Sequence, residues 1–281
     1  MLKLNYMLID THSHLNFNAY KEDLSQVIER TLENNVWMIN VGSQYTTSRR
    51  AVEIAQKYPQ GVYAAVGLHP IHLSSGIFKT KIDKEEIEFE TREENFDYQK
   101  YKSLARSEKV VAIGEIGLDY YYRPKTKKKL AEFKERQKEA FIEQLNLAEE
   151  LNLPVIFHCR MAHDDLLEIL KSRAPNFIPY GVIHCFTGSL EQAQKFLEMG
   201  FYLGFNGIIF KLNLDEIIKK TPLERILVET DCPYLTPPQE NSRNEPSYVK
   251  YVAERIAQIK KIKFNEVCQI TTENAKKLFK I

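Results

Sequence analysis

The sequence predicts one (β/α)8 barrel with a C-terminal helical extension, spanning residues 1–281 as a single domain. Short runs rich in β-branched and aromatic residues alternate with longer stretches whose apolar residues recur at helical spacing. The length of 281 residues is close to the roughly 250 that such a barrel takes. Histidine and acidic side chains follow several of the runs at the same end, where barrels of this class gather their catalytic groups.

Eight runs are predicted to be β-strands, and amphipathic stretches lie between them. In chain order the runs read MLID, VWMINVG, VYAAVGL, VVAIGEI, PVIFHC, YGVIHCF, FYLGF and RILVET. Intervening segments such as DLSQVIERTLENN, DDLLEILKSR and LEQAQKFLEMG have the apolar spacing of helices. Eight such strand-then-helix units predict the barrel.

Two segments interrupt this rhythm. Residues Phe78 to Asp97 read FKTKIDKEEIEFETREENFD, and their high charge leads us to expect a loop or a short exposed helix. Residues Thr236 to Pro246, TPPQENSRNEP, have little apolar content and are predicted to form the loop after the eighth strand. In a barrel that loop borders the active face.

Composition limits the classes of function. With 39 basic and 38 acidic residues, the chain lacks the strongly basic surface of a protein that coats nucleic acid, so any nucleic-acid contact should be local. The four cysteines form no CxxC pair, and Cys159, Cys185 and Cys232 directly follow candidate site residues, so we interpret them as reduced thiols. No signal peptide or membrane-length apolar run is visible, which favours the cytoplasm and no membrane partner.

Six side chains at the ends of the predicted strands are candidate metal ligands. In MLIDTHSHL the two histidines are two residues apart, so a strand aims both at the same side. Strand parity also places Glu115 on the face of Ile113. Four imidazoles and two carboxylates exceed what one four-coordinate ion with an open position uses, which favours two ions. The six candidates are His12, His14, Glu115, His158, His184 and Asp231.

Each of these residues, taken alone, has a simpler structural interpretation. A single histidine after a β-run is more often a hydrogen-bonded core residue than a ligand, and the HxH pattern is a weak signal by itself. The placement of six such groups at one end of five strands is what favours a metal site. Asp10 and Glu229 share strand faces with ligands, and we expect them to hydrogen-bond behind the site rather than bind metal.

The motifs that surround these residues resemble a known family. IDTHSHL, VGLHP, AIGEIGLDY, IFHCR, IHCFTGS, VETDCPYLTP and RNEP occur in the order typical of the TatD family of metal-dependent deoxyribonucleases, and the similarity extends from about Leu8 to Phe279. The resemblance implies an amidohydrolase-like barrel that hydrolyses DNA phosphodiesters with divalent metal, degrading single strands from the 3′ end. It also implies metal binding by all six candidate ligands. It favours Mg²⁺ for activity, while the imidazoles also suit Zn²⁺, Mn²⁺ or Ni²⁺.

The chemistry of phosphodiester hydrolysis suggests a role for each of the six candidate ligands. We expect His12, His14 and Asp231 to hold one ion, His158 and His184 to hold the other, and Glu115 to bridge the two. Two ions can neutralise the phosphate, activate a water between them and stabilise the leaving oxygen. Asp231 is predicted to orient or deprotonate that water, so Asp231 and Glu115 are the predicted catalytic residues.

Contacts with the DNA substrate are predicted for five further residues, each with an alternative. Arg123 and Arg160 follow strand ends and could reach a phosphate or form surface salt bridges. His69 could contact the scissile phosphate or leaving group, or could cap a turn. Asn244 and Glu245 could touch the nucleotide or position the loop after the eighth strand.

Features near these residues leave the substrate class open. The lysines from Lys125 to Lys138 follow three tyrosines, a pattern that fits nucleic-acid binding or an ordinary amphipathic helix. The charged segment after the third strand is longer than the family pattern, and Met161 stands where an acidic residue is often found.

Two rival functions therefore stay open. A small-molecule amidohydrolase acting on an ester, lactone or cyclic amide could use the same barrel, although Glu115 stands where many such enzymes have a bridging lysine. A non-catalytic metal-binding or nucleic-acid-binding protein is the second rival. The sequence indicates no obligate protein partner.

Overall fold

Eight parallel strands form one sheet that curls into a barrel. The computed structural model describes the backbone of residues 6–74, 76–81, 86–91, 93–173 and 180–281. It also describes the side chains of these residues, except for those in 76–81 and 86–91. The barrel strands pair in the order β1-β2-β3-β6-β7-β8-β9-β10, and all eight predicted strands are present. They are β1 (Leu8–Ser13), β2 (Val36–Val41), β3 (Val62–Val66), β6 (Val110–Asp119), β7 (Val155–Arg160), β8 (Gly181–Ile183), β9 (Tyr202–Phe205) and β10 (Ile226–Val228). The predicted barrel is confirmed.

The first and last barrel strands meet at their carboxyl ends. The His14 amide donates to the Cys232 carbonyl at 2.9 Å, and the Asp231 amide donates to the His12 carbonyl at 2.8 Å. Ser13 and Cys232 form a parallel bridge at the same place. These bonds join the beginning and the end of the sheet beside the predicted metal ligands.

Helices cover the outside of the barrel and pack through one apolar face. On the longest helix, Phe141, Leu145 and Ala148 are buried at helical spacing, whereas most of the lysines near its start are exposed. Within the described chain, none of the helices has the length and apolar character needed to cross a membrane. The helices are α1 (Leu24–Glu33), α2 (Tyr45–Ala55), α3 (Tyr98–Ala105), α4 (Lys127–Leu151), α5 (His163–Arg173), α6 (Leu190–Glu198), α7 (Asp215–Lys220), α8 (Val249–Lys260) and α9 (Phe264–Phe279).

The predicted C-terminal extension is α9, which follows the eighth barrel helix, α8, and closes the amino-terminal end of the barrel. Leu278 and Phe279 are buried in one cluster with apolar residues from the barrel interior. The Asn274 side chain donates to the carbonyls of Leu223 and Ile226, at 2.8 and 2.9 Å. These carbonyls belong to the turn before β10 and to its first residue, so α9 is fixed by hydrogen bonds as well as by apolar contact.

The expectation of a loop or short helix between Phe78 and Asp97 was wrong. Two antiparallel strands, β4 (Gly76–Lys81) and β5 (Glu86–Thr91), occupy much of this segment. The letters EIEFET alternate polar and apolar residues with the period of a strand, a signal that the high charge obscured. The register places Lys79 opposite Glu88 and Lys81 opposite Glu86.

Candidate metal centre

The six predicted ligands gather at the carboxyl-terminal end of the barrel. They come from five strands or from the residues directly beyond them, where an open cavity of about 1500 Å³ lies. Five of the six line this cavity, and His12 is fully buried beneath it. The order of the strands around the barrel therefore brings together residues that are far apart in the chain.

One group of ligands lies where β1 meets β10. The Nε2 atoms of His12 and His14 are 3.2 Å apart, and Asp231 Oδ1 lies 3.4 Å from His14 Nε2 and 3.9 Å from His12 Nε2. Ligand atoms of these three residues all lie within 4.8 Å of one another. Two imidazole nitrogens and one carboxylate oxygen form a donor set that a single divalent ion accepts.

Glu115 lies at the centre, and its two oxygens face different imidazoles. Oε2 is 3.4 Å from His12 Nε2, on the side of the first group. Oε1 is 2.5 Å from His158 Nδ1 and 3.9 Å from His184 Nε2, on the other side. A carboxylate in this position is shared between the two sets of histidines.

The hydrogen bonds of two histidines leave the correct nitrogen available for a metal. His14 Nδ1 lies 2.8 Å from the Val41 carbonyl, and His184 Nδ1 lies 2.8 Å from Glu229 Oε2. Because a carbonyl or carboxylate oxygen can only accept, both Nδ1 atoms carry hydrogen. In the neutral form of each ring the lone pair is therefore on Nε2, and both Nε2 atoms face Asp231. The residues present thus fit divalent metal.

Comparisons with known proteins identify relatives of this site and fold. The model of the family described as TatD related DNase matches residues 9–280. The chain belongs to this family. The family predicted from the motifs is therefore confirmed, as is the prediction that the chain is a metal-dependent hydrolase.

Individual TatD relatives share nearly the whole chain. The uncharacterized metal-dependent hydrolase YabD of Bacillus subtilis is 44% identical over 280 residues, covering 98% of this chain and 100% of its own. A Yersinia pseudotuberculosis protein named 3'-5' ssDNA/RNA exonuclease TatD is 32% identical, covering 98% and 100%. Among solved structures, the TatD homologue YJJV of Escherichia coli superimposes with a TM-score of 0.81 at 29% identity, covering 98% of each chain.

Charge in this TatD site is concentrated on buried groups. Burial tends to raise the pKa of Glu115, but the nearby His69, His158 and His12 outweigh it and hold that pKa well below its usual range. The pKa of Asp231 is also lowered, because His14 and His184 outweigh the effect of its burial. Both carboxylates are therefore ionised at neutral pH, as metal ligands must be.

The histidines on the other side of the site show the reciprocal effect. Burial alone would lower the pKa of His158, but Glu115 and Asp119 raise it to about 10. Glu229 and Asp231 similarly outweigh burial at His184 and raise its pKa to about 9. In the metal-free site His158 and His184 therefore hold protons, because the nearby carboxylates favour positive charge on the imidazoles. A divalent ion must compete with these protons for the same nitrogens.

The parity argument for Glu115 was wrong, although the residue does reach the cavity. Ile113 packs in the cluster outside the barrel with Val155, whereas Ala112 belongs to the interior cluster. The register of β6 against β7 shifts between Gly114 and Ile116, so Glu115 occupies a bulge. A bulge turns the affected side chain relative to the regular alternation, which here aims it inward.

Asp119 is a site residue that the sequence analysis missed. It is the last residue of β6, it is 6% exposed, and its Oδ2 lies 3.0 Å from His158 Nε2. Its position in AIGEIGLDY, an even number of residues after Glu115, was the available signal. Asp10 and Glu229 accept hydrogen bonds behind the site as expected, Asp10 from the Thr230 amide at 2.8 Å and Glu229 from His184.

His69 faces the site with a nitrogen that carries hydrogen. Its Nδ1 accepts a 3.0 Å hydrogen bond from the Ile71 amide, which is the capping contact considered above. A neutral ring with Nδ1 as acceptor carries its hydrogen on Nε2. Nε2 lies 3.6 Å from Glu115 Oε1, so His69 presents a donor to the cavity rather than a lone pair for a metal.

The two predicted phosphate-binding arginines have different surroundings. Arg160 lines the cavity, and its guanidinium carbon lies 3.6 Å from the centre of the Tyr121 ring. Arg123 is exposed and lies outside the residues that line the cavity in the described part of the chain. Contact between Arg123 and substrate stays a prediction that these surroundings do not support.

Asn244 and Glu245 make structural contacts and do not line the cavity. The buried Asn244 amide donates to the carbonyls of Thr230 and Tyr234, at 3.1 and 2.5 Å. Glu245 accepts from Arg30 of α1, with Arg30 Nε 2.7 Å from its Oε2. These are the contacts expected of the alternative role, in which both residues hold the loop after β10 in place.

Proposed function

We propose that this TatD-family chain is a divalent-metal-dependent deoxyribonuclease that hydrolyses the phosphodiester bonds of single-stranded DNA from the 3′ end. The observation that supports it most is the convergence of four imidazoles around the two shared carboxylates, Glu115 and Asp231, at the base of an open cavity. A relative with 32% identity across the chain is named a 3'-5' ssDNA/RNA exonuclease, and this name supports the proposed substrate class and polarity.

Two ions are proposed to bind in this site. His12, His14 and Asp231 would hold one, His158 and His184 would hold the other, and Glu115 would bridge them. Mg²⁺ is the proposed metal for activity, and Zn²⁺, Mn²⁺ and Ni²⁺ are also compatible with imidazole ligands. When bound, such ions neutralise a phosphodiester, activate water as the nucleophile and stabilise the leaving oxygen.

Carboxylates behind the site would hold the histidines in their ligand orientation. With His184 Nε2 as the ligand atom, Nδ1–H donates to Glu229. With His158 Nδ1 as the ligand atom, Nε2–H donates to Asp119. Such partners fix the ring orientation and increase the basicity of the ligand.

Other residues would handle the proton and the phosphate. Asp231 is ionised and lies among the ligands, so it can accept a proton from the attacking water. His69 Nε2–H can donate a hydrogen bond to a phosphate or leaving oxygen placed near Glu115. Arg160 can bind a second oxygen from the rim with its charged N–H groups.

The cavity also has the charge and size for a nucleic-acid strand rather than a compact metabolite. Four cationic side chains are among the residues that line it, so it can attract a polyanionic strand locally although the whole chain is nearly neutral. These cations are Arg50, Arg160, Lys211 and Arg243.

The proposal is tested with single-stranded DNA labelled at either end. Metal-stripped protein is supplied with Mg²⁺, Mn²⁺ or Zn²⁺, and Asp231→Asn is compared with Asp215→Asn, a half-buried residue of α7 that is paired with Arg255 outside the cavity. We expect metal-restored cleavage from the 3′ end in wild type and Asp215→Asn, and loss of cleavage in Asp231→Asn. Wild-type protein that binds two metals but cuts neither DNA nor RNA would sink the proposal and direct attention to lactones and cyclic amides.

A further inference from the structure

One rim of the cavity carries an exposed aromatic ring with an arginine stacked on it. Tyr121, two residues after the end of β6, is 51% exposed. The Arg160 guanidinium carbon lies 3.6 Å from its ring centre, and the Tyr122 ring lies 4.8 Å away at an angle of 86°. Tyr122 and Arg160 both line the cavity, so this rim is continuous with the metal centre.

Ordinary packing does not account for this exposed apolar surface. Among described residues, Tyr121, Ile142, Met161 and Leu212 are the exposed large hydrophobic side chains. Two of the four, Tyr121 and Met161, directly follow Tyr120 and Arg160 in the chain. The Tyr120 amide donates to the Arg160 carbonyl at 2.9 Å, so Tyr121 and Met161 begin at neighbouring positions. Single exposed apolar residues are common, but two beside the mouth of a catalytic cavity point to a ligand contact.

The ring is also held at a fixed position relative to the metal ligands. The Tyr121 amide donates to Asp119 Oδ1 at 2.8 Å, and Asp119 Oδ2 bonds His158 Nε2 at 3.0 Å. Two hydrogen bonds therefore connect the backbone of this residue to a predicted metal ligand. The Tyr121 ring is therefore held close to the end of β6 rather than on a long loop.

We infer that Tyr121 and Arg160 form a stacking platform for the unpaired nucleobase next to the scissile phosphate. Arg160 covers one face of the ring, and the remaining exposure leaves surface against which a base can stack. Every base has a π-face, so such a platform is tolerant of sequence but requires a base that is free of its duplex partner. The inference rests on the proposed nuclease function and adds a cause for single-strand preference.

The experiment compares Tyr121→Ala with the matched control Tyr121→Phe, which keeps the ring. KM and kcat are measured on a single-stranded oligonucleotide, on the same strand with an abasic nucleotide beside the cleaved bond, and on bis(p-nitrophenyl) phosphate. We expect Tyr121→Ala to raise KM for the normal strand about tenfold with little change in kcat, and Tyr121→Phe to behave like wild type. On the abasic strand and on the small diester, all three proteins should be equivalent.

Two results would overturn the platform. An unchanged KM for the normal strand in Tyr121→Ala would exclude stacking on this ring. An equal loss on the small diester would mean that the residue acts only through Asp119 and His158. If wild type cleaves no nucleic acid, fluorescence anisotropy of a labelled strand with metal-stripped protein separates the two ideas: weaker binding in Tyr121→Ala upholds the platform without the nuclease, and no binding by wild type refutes it.

Discussion

The two ends of the barrel interior are built by the same strands but have opposite character. At the amino-terminal end, apolar side chains such as Ala112 and Leu227 pack against Leu278 and Phe279 of α9. At the carboxyl-terminal end, imidazoles and carboxylates fill the interior and open into a cavity. The apolar end contributes to stability through burial, whereas the polar end buries charges whose desolvation only their mutual contacts or a bound ion can offset.

This difference predicts that stability and activity can be altered separately. A substitution at the closed end should change the free energy of unfolding and leave the chemistry of the folded molecules unchanged. A substitution at the open end should change the chemistry without lowering the free energy of unfolding, because residues at active sites are held for function at some cost in stability.

The largest effect is expected from Glu115→Gln at the open end. The amide keeps the shape of the side chain but lacks the negative charge that faces histidines on both sides. We expect activity on single-stranded DNA to fall on the order of 1000-fold and bound metal to decrease, because the amide is a poor bridge between cations. Metal content is measured by elemental analysis alongside the cleavage assay, and full activity with the normal metal content would contradict the central role of Glu115.

At the closed end, Phe279→Ala should reduce the free energy of unfolding by about 3–5 kcal/mol. The side chain is 3% exposed and belongs to the interior cluster, so its removal leaves a cavity. Denaturant unfolding measures the loss, and kcat/KM is determined under conditions in which the variant stays folded. A fall in kcat/KM at full folding would show that the two ends are coupled and would break the comparison.

A smaller effect is expected for the carboxylates behind the histidines. Glu229→Gln should weaken metal binding about 10-fold to 100-fold, because His184 loses a charged acceptor for its Nδ1–H. Asp119→Asn should have an effect of similar size through His158. Calorimetric titration of metal into stripped protein gives both affinities, and wild-type affinity in Asp119→Asn would show that Asp119 does not position His158.

The smallest effects separate the two arginines at the open end. Arg160→Ala should raise KM for single-stranded DNA about tenfold, as expected for loss of one charged phosphate contact from the cavity wall. Arg123 is not among the residues that line the cavity, so Arg123→Ala should change KM less than twofold, as expected for an exposed charge. Equal losses in the two variants would mean that the strand extends over the outer rim as well.

The sequence predicted the features that depend on periodicity and missed those that depend on neighbouring strands. The eight runs alternate regularly with helices, so the pattern predicted the barrel. It also predicted that His158 and His184 lie at the carboxyl-terminal ends of their strands. The inward turn of Glu115 depends on how β6 pairs with β7, which a single strand does not reveal. The even spacing of Asp119 from Glu115 was a signal within the strand, but its contact with His158 depends on the adjacent strand and could not be predicted from the sequence.

Tertiary contacts also decided the interpretation of the last loop. Asn244 and Glu245 stand in a conspicuous motif, which favoured both a substrate role and a structural role at the level of sequence. Their contacts with Tyr234 and Arg30 join the loop after β10 to itself and to α1. No spacing rule relates these residues along the chain, so only the folded structure distinguishes the two roles.

The junction of β1 with β10 makes the order of assembly important. His12 and Asp231 come from the first and last barrel strands and become neighbours only where those strands meet. Contacts between residues so distant in sequence carry a high loop-closure cost and slow folding. A nascent chain that lacks β10 can present Glu115, His158 and His184 but not Asp231, so metal would be retained fully only after the ring of strands is complete. Tight metal binding would then report that synthesis and folding of the barrel have both finished.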